Sequence, residues 1–168
     1  MIAVGIDPGT TCGVAAVSAS TAAWVTVSLP SWRRSVYGLD GHAYSRDVIR
    51  SAIRDVVGLL PEHANGLGQI ASLVAIEDSQ HAASMRAAAV QAEHLCLCAD
   101  AGHHVTGRVV PVHPATWQHG LVGKLGRDEY VRYAVELTGG ELDPREHDAA
   151  AAICIAEWAW QHVVRRSQ

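Results

Sequence analysis

The sequence has no apolar run long enough to cross a membrane, and its N-terminus has no basic stretch followed by a hydrophobic one. A membrane span requires about 18 or more mostly apolar residues, whereas His, Asp or Arg interrupts each apolar run here well before that length. These absences exclude a transmembrane protein and a secretory leader. We therefore expect a soluble protein of the cytoplasm that is not exported.

Cysteine is scarce, and the four cysteines have no spacing typical of a disulfide framework. A chain of 168 residues can bury roughly 70% of its unfolded surface and needs no covalent staple, so a reducing cytoplasm is expected. Cys96 and Cys98, with His103 and His104, are the alternative zinc ligands. Residues two apart on a helix point to different faces, however, which argues against a shared metal.

Basic residues are also few: the chain has one lysine, Lys124, and 13 basic against 17 acidic residues, for a net charge of -4. A protein that coats DNA through a basic excess is therefore excluded, and arginines must supply most phosphate contacts. Two bound divalent cations would add a charge of +4, so the metal-bound protein would be near neutral. The composition, 49% hydrophobic and 18% charged, is that of a globular protein, and the length fits a single domain over 1–168.

The first thirty residues predict three strands. Residues 2–7 alternate between apolar side chains on one face and Ala3, Gly5 and Asp7 on the other, which is the period of a strand. A Pro-Gly turn follows, and 13–17 and 23–29 are two further strand-like runs. An antiparallel meander is expected.

The rest of the chain alternates helical and strand patterns. Helices are predicted at 45–60, 82–101 and 128–137, and strands at 73–77 and 105–112. A last helix is predicted from Asp143 as N-cap, with Pro144 at its first position and Glu146 completing a capping box. Connections of helical length between the later strands favour parallel pairing, so we expect an α/β fold in which helices flank a mixed sheet.

Three carboxylates are placed so that the fold can bring them together. Asp7 and Glu77 each end a predicted strand, and Asp148 lies just inside the last helix. Parallel strands carry sites at their C-terminal ends, and crowded carboxylates persist where cations hold them. Oxygen-only ligands favour Mg²⁺ or Mn²⁺, and two such ions can drive phosphodiester hydrolysis. Each acid taken alone also fits a turn cap or a solvated surface residue.

Together with their neighbours, these acids give a pattern that resembles the RuvC-type Holliday junction resolvases of the RNase H-like superfamily. The anchors are residues 5–10 (GIDPGT) with 13–15 (GVA), then 74–77 (VAIE), then 147–157, which opens on His-Asp and is rich in alanine. The resemblance implies a five-stranded RNase H-like sheet and a homodimer. It also implies catalysis with two Mg²⁺ ions per site, for which Mn²⁺ substitutes, and nicking of opposed strands at a four-way DNA junction.

The resemblance also indicates a DNA-facing segment. Residues 114–126 look like the substrate-side loop of the family, with Trp117, Gln118 and Lys124 in it and Arg127 directly after it. We expect Gln118, Lys124 and Arg127 to contact DNA, together with Arg86 on the second predicted helix.

The chain departs from the family pattern at two places. The family usually has an acid or a His one helical turn before the last aspartate, where this chain has Arg145. It also tends to place an aromatic residue just after the second acid, but this chain reads DSQH at 78–81 and contains no phenylalanine at all. The fourth ligand and the cleavage preference are therefore not predicted, and a cellular and a phage-type relative both remain open.

Two other functions fit part of the pattern. The segment 7–10 (DPGT) also resembles the phosphate loop of actin-like kinases and ATPases, although those enzymes need two such domains to enclose a nucleotide. A non-catalytic DNA-binding relative with the same fold is the other alternative. Retention of all three acids favours the nuclease.

Overall fold

The computed structural model describes residues 1–19, 21–29, 39–61, 71–78, 84–123 and 126–165, without the side chains of 39–42, 85 and 86. Its strands are β1 (Ala3–Asp7), β2 (Thr11–Val17), β3 (Ala22–Ser28), β4 (Leu73–Glu77) and β5 (Val109–Val112). Its helices are α1 (Leu39–Gly58), α2 (Met85–Thr106), α3 (Pro114–Val122), α4 (Arg127–Leu137) and α5 (His147–Ala159). A π-helical turn, Trp160–Val164, continues α5.

The strands form one five-stranded mixed sheet in the order β3-β2-β1-β4-β5. The pairs β1/β2 and β2/β3 are antiparallel, whereas β1/β4 and β4/β5 are parallel. The predicted meander followed by parallel strands is therefore confirmed.

A hydrophobic core lies on each side of the sheet. The alternation in β1 sends Ile2, Val4 and Ile6 into a core with α1 and α2. Ala3 faces the opposite core, which is built around the alanine-rich helix α5. The alternation places Asp7 on the α5 side, at the end of the strand.

The element boundaries differ from the predicted ones at the end of α2, in β5 and in the segment that follows β5. Helix α2 continues to Thr106 and takes up Val105, which leaves β5 as a shorter strand than 105–112. Residues 114–122, predicted as part of a loop, form α3, because Pro114 occupies the first turn and His113 caps Ala115 N–H at 3.2 Å. These local signals start a helix that the hydrophobic pattern alone does not indicate.

The predicted capping box before the last helix is wrong. Helix α5 begins at His147 with Glu146 as its N-cap, and Glu146 makes no side-chain capping bond. Asp143 instead accepts the backbone N–H of Arg145 at 2.9 Å and pairs with the Arg145 guanidinium at 2.7 Å. This local turn competes with helical geometry, so the helix starts four residues after Asp143.

None of the described helices is long and apolar enough to span a membrane.

Candidate active site

Asp7 and Glu77 are brought together by the parallel pairing of β1 with β4. The register pairs Gly5 with Ala75 and Ile6 with Ile76, so the next residues along the two strands are Asp7 and Glu77. Both strands end there, at the edge of the sheet where parallel strands commonly carry functional groups. The two acids that the sequence places at strand ends are therefore neighbours.

Asp148 approaches the same edge because β2 has a glycine where α5 crosses it. Gly13 is the antiparallel partner of Asp7, and a Cβ at Gly13 would lie only 2.0 Å from the Asp148 carbonyl oxygen. Gly5 similarly lets α5 approach, since its Cβ would lie 2.2 Å from the Ala152 carbonyl oxygen. Because two adjacent strands have a glycine under α5, the helix packs closely on the sheet and its first turn lies beside Asp7.

The three charges interact. The pKa of Asp7 is raised well above its usual value, first by burial and then by repulsion from Glu77 and Asp148. Burial also raises the pKa of Glu77, an effect that a hydrogen bond from Trp117 partly opposes. A divalent cation bound at this edge of the sheet would reduce the repulsion among the three carboxylates.

The donor set fits Mg²⁺ or Mn²⁺ in chemistry, since all three groups are carboxylates. In the described part of the chain, no three His, Cys, Asp or Glu side chains converge closely enough to enclose a metal ion as they stand. The three acids are thus close enough to repel one another, but their side chains do not form a complete coordination shell. Asp7, Glu77 and Asp148 are the residues that would hold the ions.

An aromatic pair, not predicted in this role, lies behind the acids. Trp117 of α3 is fully buried and donates its indole N–H to Oε2 of Glu77 at 3.0 Å. Its ring meets that of Tyr130 of α4 edge to face, with ring centroids 5.4 Å apart. The sequence interpretation had placed Trp117 in a DNA-side loop, and the structure instead places it in the core, in contact with Glu77.

Arg127 is linked to the acids through Tyr130. Burial and the nearby charges of Asp7 and Glu77 raise the pKa of the Tyr130 phenol, while the nearby Arg127 guanidinium opposes the rise. Arg127 itself is exposed at the start of α4. Of the two predicted DNA contacts whose side chains the structure describes, Gln118 and Arg127, it is therefore Arg127 that lies near the carboxylates.

The other predicted DNA contacts are less well defined. The Gln118 side chain accepts the backbone N–H of Gly126 at 3.3 Å and so bridges the α3–α4 connection. Lys124 and the side chain of Arg86 lie outside the described residues.

Position 145 adds no ligand to the acids. The Arg145 side chain is 89% exposed, and its guanidinium binds Asp143, whose pKa it lowers to about 2. Glu146 is exposed. The position where the family usually has a fourth ligand is therefore Arg145 here, which forms an exposed ion pair with Asp143.

The alternative zinc interpretation finds no geometric support. Cys98 is buried and Cys96 is exposed, as expected for residues two apart on one helix. No metal-binding group of these side chains occurs among the described residues.

A cleft of about 210 Å³ opens beside Glu77. Pro8 and Asp78 line it from the strand ends, and Gln91 and Leu95 line it from α2. The cleft gives the Glu77 side of the carboxylate group access to solvent.

No protein-family model matches the sequence, and no curated protein matches it. Solved structures do match its fold. A structure of Thermus thermophilus RuvC in complex with a Holliday junction substrate has a TM-score of 0.71 at 18% sequence identity, covering 99% of this chain and 96% of that one. A second Thermus thermophilus RuvC structure has a TM-score of 0.66 at 19% identity, covering 99% and 97%. The chain therefore has the RNase H-like fold of the RuvC resolvases, as its sequence motifs predicted.

Proposed function

We propose that this protein is a metal-dependent endonuclease that cuts Holliday junctions or other branched DNA. The observation that carries the proposal is the convergence of Asp7, Glu77 and Asp148 at one sheet edge, by strand register and by the Gly13 contact. The RuvC structure of the same fold contains a Holliday junction, which supports branched DNA as the substrate class. The proposed unit is one nuclease domain over 1–168.

Each carboxylate has a distinct place in the proposed mechanism. Asp7 is the central acid, flanked by Glu77 on the neighbouring strand and by Asp148 on α5. Bound Mg²⁺, two ions per site, would supply Lewis acidity and a water of lowered pKa for attack on the phosphodiester. The guanidinium of Arg127 lies on the Tyr130 side of the acids, where it can pair with a phosphate oxygen of the DNA.

The net charge of -4 agrees with this mechanism. A strand of DNA approaching the bare carboxylates would be repelled, whereas two divalent cations would cancel the formal charge. Gln118, Lys124, Arg127 and Arg86 are the proposed DNA contacts. With so few basic residues, DNA binding should depend on divalent ions more than it does for a basic protein.

A homodimer is the proposed assembly, because resolving a junction into two duplexes takes two cuts and one chain has one carboxylate group. A two-fold dimer presents two sites related as the opposed strands are. The alanines of α2 offer a surface, since Ala88, Ala89 and Ala92 are exposed and do not pack on the protein's own sheet. Ala82 and Ala83, which precede α2 in the sequence, lie outside the described residues.

Cleavage of labelled DNA tests the proposed activity. We expect Mg²⁺-dependent nicking of a four-way junction, compared with flap, fork and linear DNA. Asp7→Asn, Glu77→Gln and Asp148→Asn should each reduce the rate by roughly a hundredfold or more while junction binding persists. Ca²⁺ should permit binding without cutting, since its coordination is longer and looser.

Asp143→Asn is the matched control, since it makes the same chemical change at an acid that pairs with Arg145 outside the group. It should cut at the wild-type rate. Wild-type nicking by Asp7→Asn would remove that residue from the site. Junction binding without cutting by the unmodified protein would identify a non-catalytic relative, and nucleotide binding without any effect on DNA would favour the actin-like alternative.

A further inference from the structure

We propose that Trp117 is a positioning residue for the metal site: its indole N–H fixes the Glu77 carboxylate and leaves the other carboxylate oxygen for a cation. The inference rests on the proposed function, because it assigns a role toward the ions that Glu77 would help to hold. Neither the strand-end pattern nor the family resemblance, which places Trp117 in a substrate-side loop, gives this residue a role toward the acids.

The first support is the environment of the indole. Among the described residues, Trp117 is the largest fully buried side chain, and a buried indole N–H needs an acceptor. Its acceptor is a carboxylate 40 residues earlier in the chain, at 3.0 Å. The ring is held in turn by the edge-to-face contact with Tyr130. The donor is therefore part of a rigid core and cannot follow Glu77 if that side chain rotates.

The second support is the chemistry of the donor. Indole has one N–H and no acceptor, so it binds a carboxylate oxygen without neutralising the negative charge. An Arg or Lys in the same place would compete electrostatically with a divalent cation for Glu77. A neutral, rigid donor orients the carboxylate and retains its full charge for the metal. Groups that orient metal ligands in this way typically contribute 10–100-fold to metal affinity.

A purely structural role for Trp117 predicts something different. If only packing mattered, the loss of the N–H from a ring that still fills the core would leave metal affinity unchanged. If the hydrogen bond matters, its loss should act through Glu77 and should have no further effect once Glu77 has been altered.

Metal binding without DNA distinguishes these roles. Mn²⁺ affinity of the full chain would be measured by calorimetry for wild type, Trp117→Phe, Glu77→Gln and the double variant. We expect Trp117→Phe to weaken Mn²⁺ binding by about 10–100-fold. In the Glu77→Gln background the same substitution should have little effect. Trp158→Phe is the matched control, because Trp158 stacks on His162 and is not bonded to an acid.

A spectroscopic measurement keeps the inference testable if Trp117→Phe does not fold. The indole ¹⁵N–¹H signal of Trp117 can be assigned by substituting the other four tryptophans one at a time. It should shift when Mg²⁺ is added to the wild-type protein, and it should also shift in Glu77→Gln. An indole signal that changes in neither experiment would overturn the inference.

The outcomes separate this inference from the proposed function. A folded Trp117→Phe that binds Mn²⁺ as tightly as wild type would overturn the positioning role and leave the nuclease proposal standing. A wild-type chain that binds no Mn²⁺ would overturn the metal site and the positioning role together.

Discussion

At the scale of single residues, the carboxyl group of Asp7 lies in surroundings that oppose its ionisation. Burial is the larger cause, and the charges of Glu77 and Asp148 add to it. An acid whose folded-state pKa is raised loses stabilisation as pH rises through that pKa. The arrangement that would bind cations should therefore weaken the metal-free fold at neutral pH.

The first prediction is that Asp7→Asn raises the Tm of the metal-free protein. The gain should be small below pH 3.8, where Asp7 is protonated in both the folded and the unfolded chain, and should grow as pH rises through the raised pKa. Each kcal/mol relieved corresponds to roughly 2–4 °C in a domain of this size. Thermal unfolding in EDTA across this pH range measures the effect.

Added Mg²⁺ should reverse the order, because it stabilises only the chain that binds it. Asp143→Asn is the control and should bring no gain, since the pKa of Asp143 is lowered, not raised. An unchanged or lower Tm of Asp7→Asn in EDTA at pH 7 would contradict the proposed charge repulsion.

The second prediction concerns His94, which lies buried on α2. Burial lowers its pKa, and nearby Glu93 partly opposes the shift. Since the folded chain then resists protonation, stability should be full above pH 6.5 and should fall as pH drops toward the lowered folded-state value. His94→Gln should lose less stability than wild type between pH 7.5 and pH 5 in paired thermal melts. Parallel curves for the two proteins would show that His94 does not contribute.

At the scale of secondary-structure elements, the contact of α5 with the sheet depends on two positions without a side chain. Gly5 and Gly13 on adjacent strands let the backbone of α5 approach closely. The alanines along α5 are buried for the same reason, since small side chains permit a short distance between helix and sheet. The placement of Asp148 beside Asp7 follows from this contact, not from any property of Asp148 itself.

The third prediction is that Gly13→Ala destabilises the protein and weakens metal binding together. The added Cβ would meet the Asp148 carbonyl oxygen at 2.0 Å, so α5 must move. Overpacking of this kind costs about 1–3 kcal/mol, occasionally more. Denaturant unfolding and Mn²⁺ calorimetry are the two measurements.

Gly58→Ala in α1 is the matched control, because its Cβ would meet nothing within 4 Å. That change should be neutral or stabilising by about 0.4–1 kcal/mol. Wild-type stability and metal affinity in Gly13→Ala would show that the close approach of α5 does not set the site.

At the scale of the whole molecule, the exposed small residues of α2 are the proposed dimer surface. Ala89, Ala92 and Cys96 are exposed at spacings of three and four residues, so they share one face of the helix. Ala92 of this face also lines the cleft beside Glu77, together with Ala88 and Gln91. Pairing through α2 would place the two sites at either side of the interface.

The fourth prediction is that Ala89→Arg, an exposed position outside the cleft lining, converts a dimer into a monomer and abolishes paired cutting of a junction, while nicking at a single site persists. Light scattering at micromolar concentration, with and without junction DNA, measures the assembly. A short bismaleimide should join two wild-type chains through Cys96, since the other three cysteines are buried.

Ser51→Arg, at an exposed position of α1, is the control and should remain dimeric. A wild-type protein that is strictly monomeric in both conditions would refute paired cutting and favour a nickase acting on flaps or forks. A dimer that survives Ala89→Arg would place the interface on another surface.

The sequence by itself determined the order of strands and the position of the acids. The alternation of β1 assigns Asp7 to one face, and the terminal placement of Asp7 and Glu77 on parallel strands predicts their proximity, because local periodicity encodes which side of a sheet a residue occupies. The resemblance to the RuvC family likewise rested on short contiguous motifs. These are local properties, and the structure agrees with them.

Only the tertiary structure decided what surrounds the acids. Trp117 lies by sequence in the segment that resembles the family's substrate-side loop, yet it is buried and hydrogen-bonded to a carboxylate 40 residues away. Asp143 has the sequence spacing of a helix N-cap, yet its carboxylate accepts a hydrogen bond from the Arg145 guanidinium. In both cases the local sequence allows more than one partner for the side chain. Which partner is used depends on burial and on distances in the folded chain. The periodicity of the sequence carries no information about either.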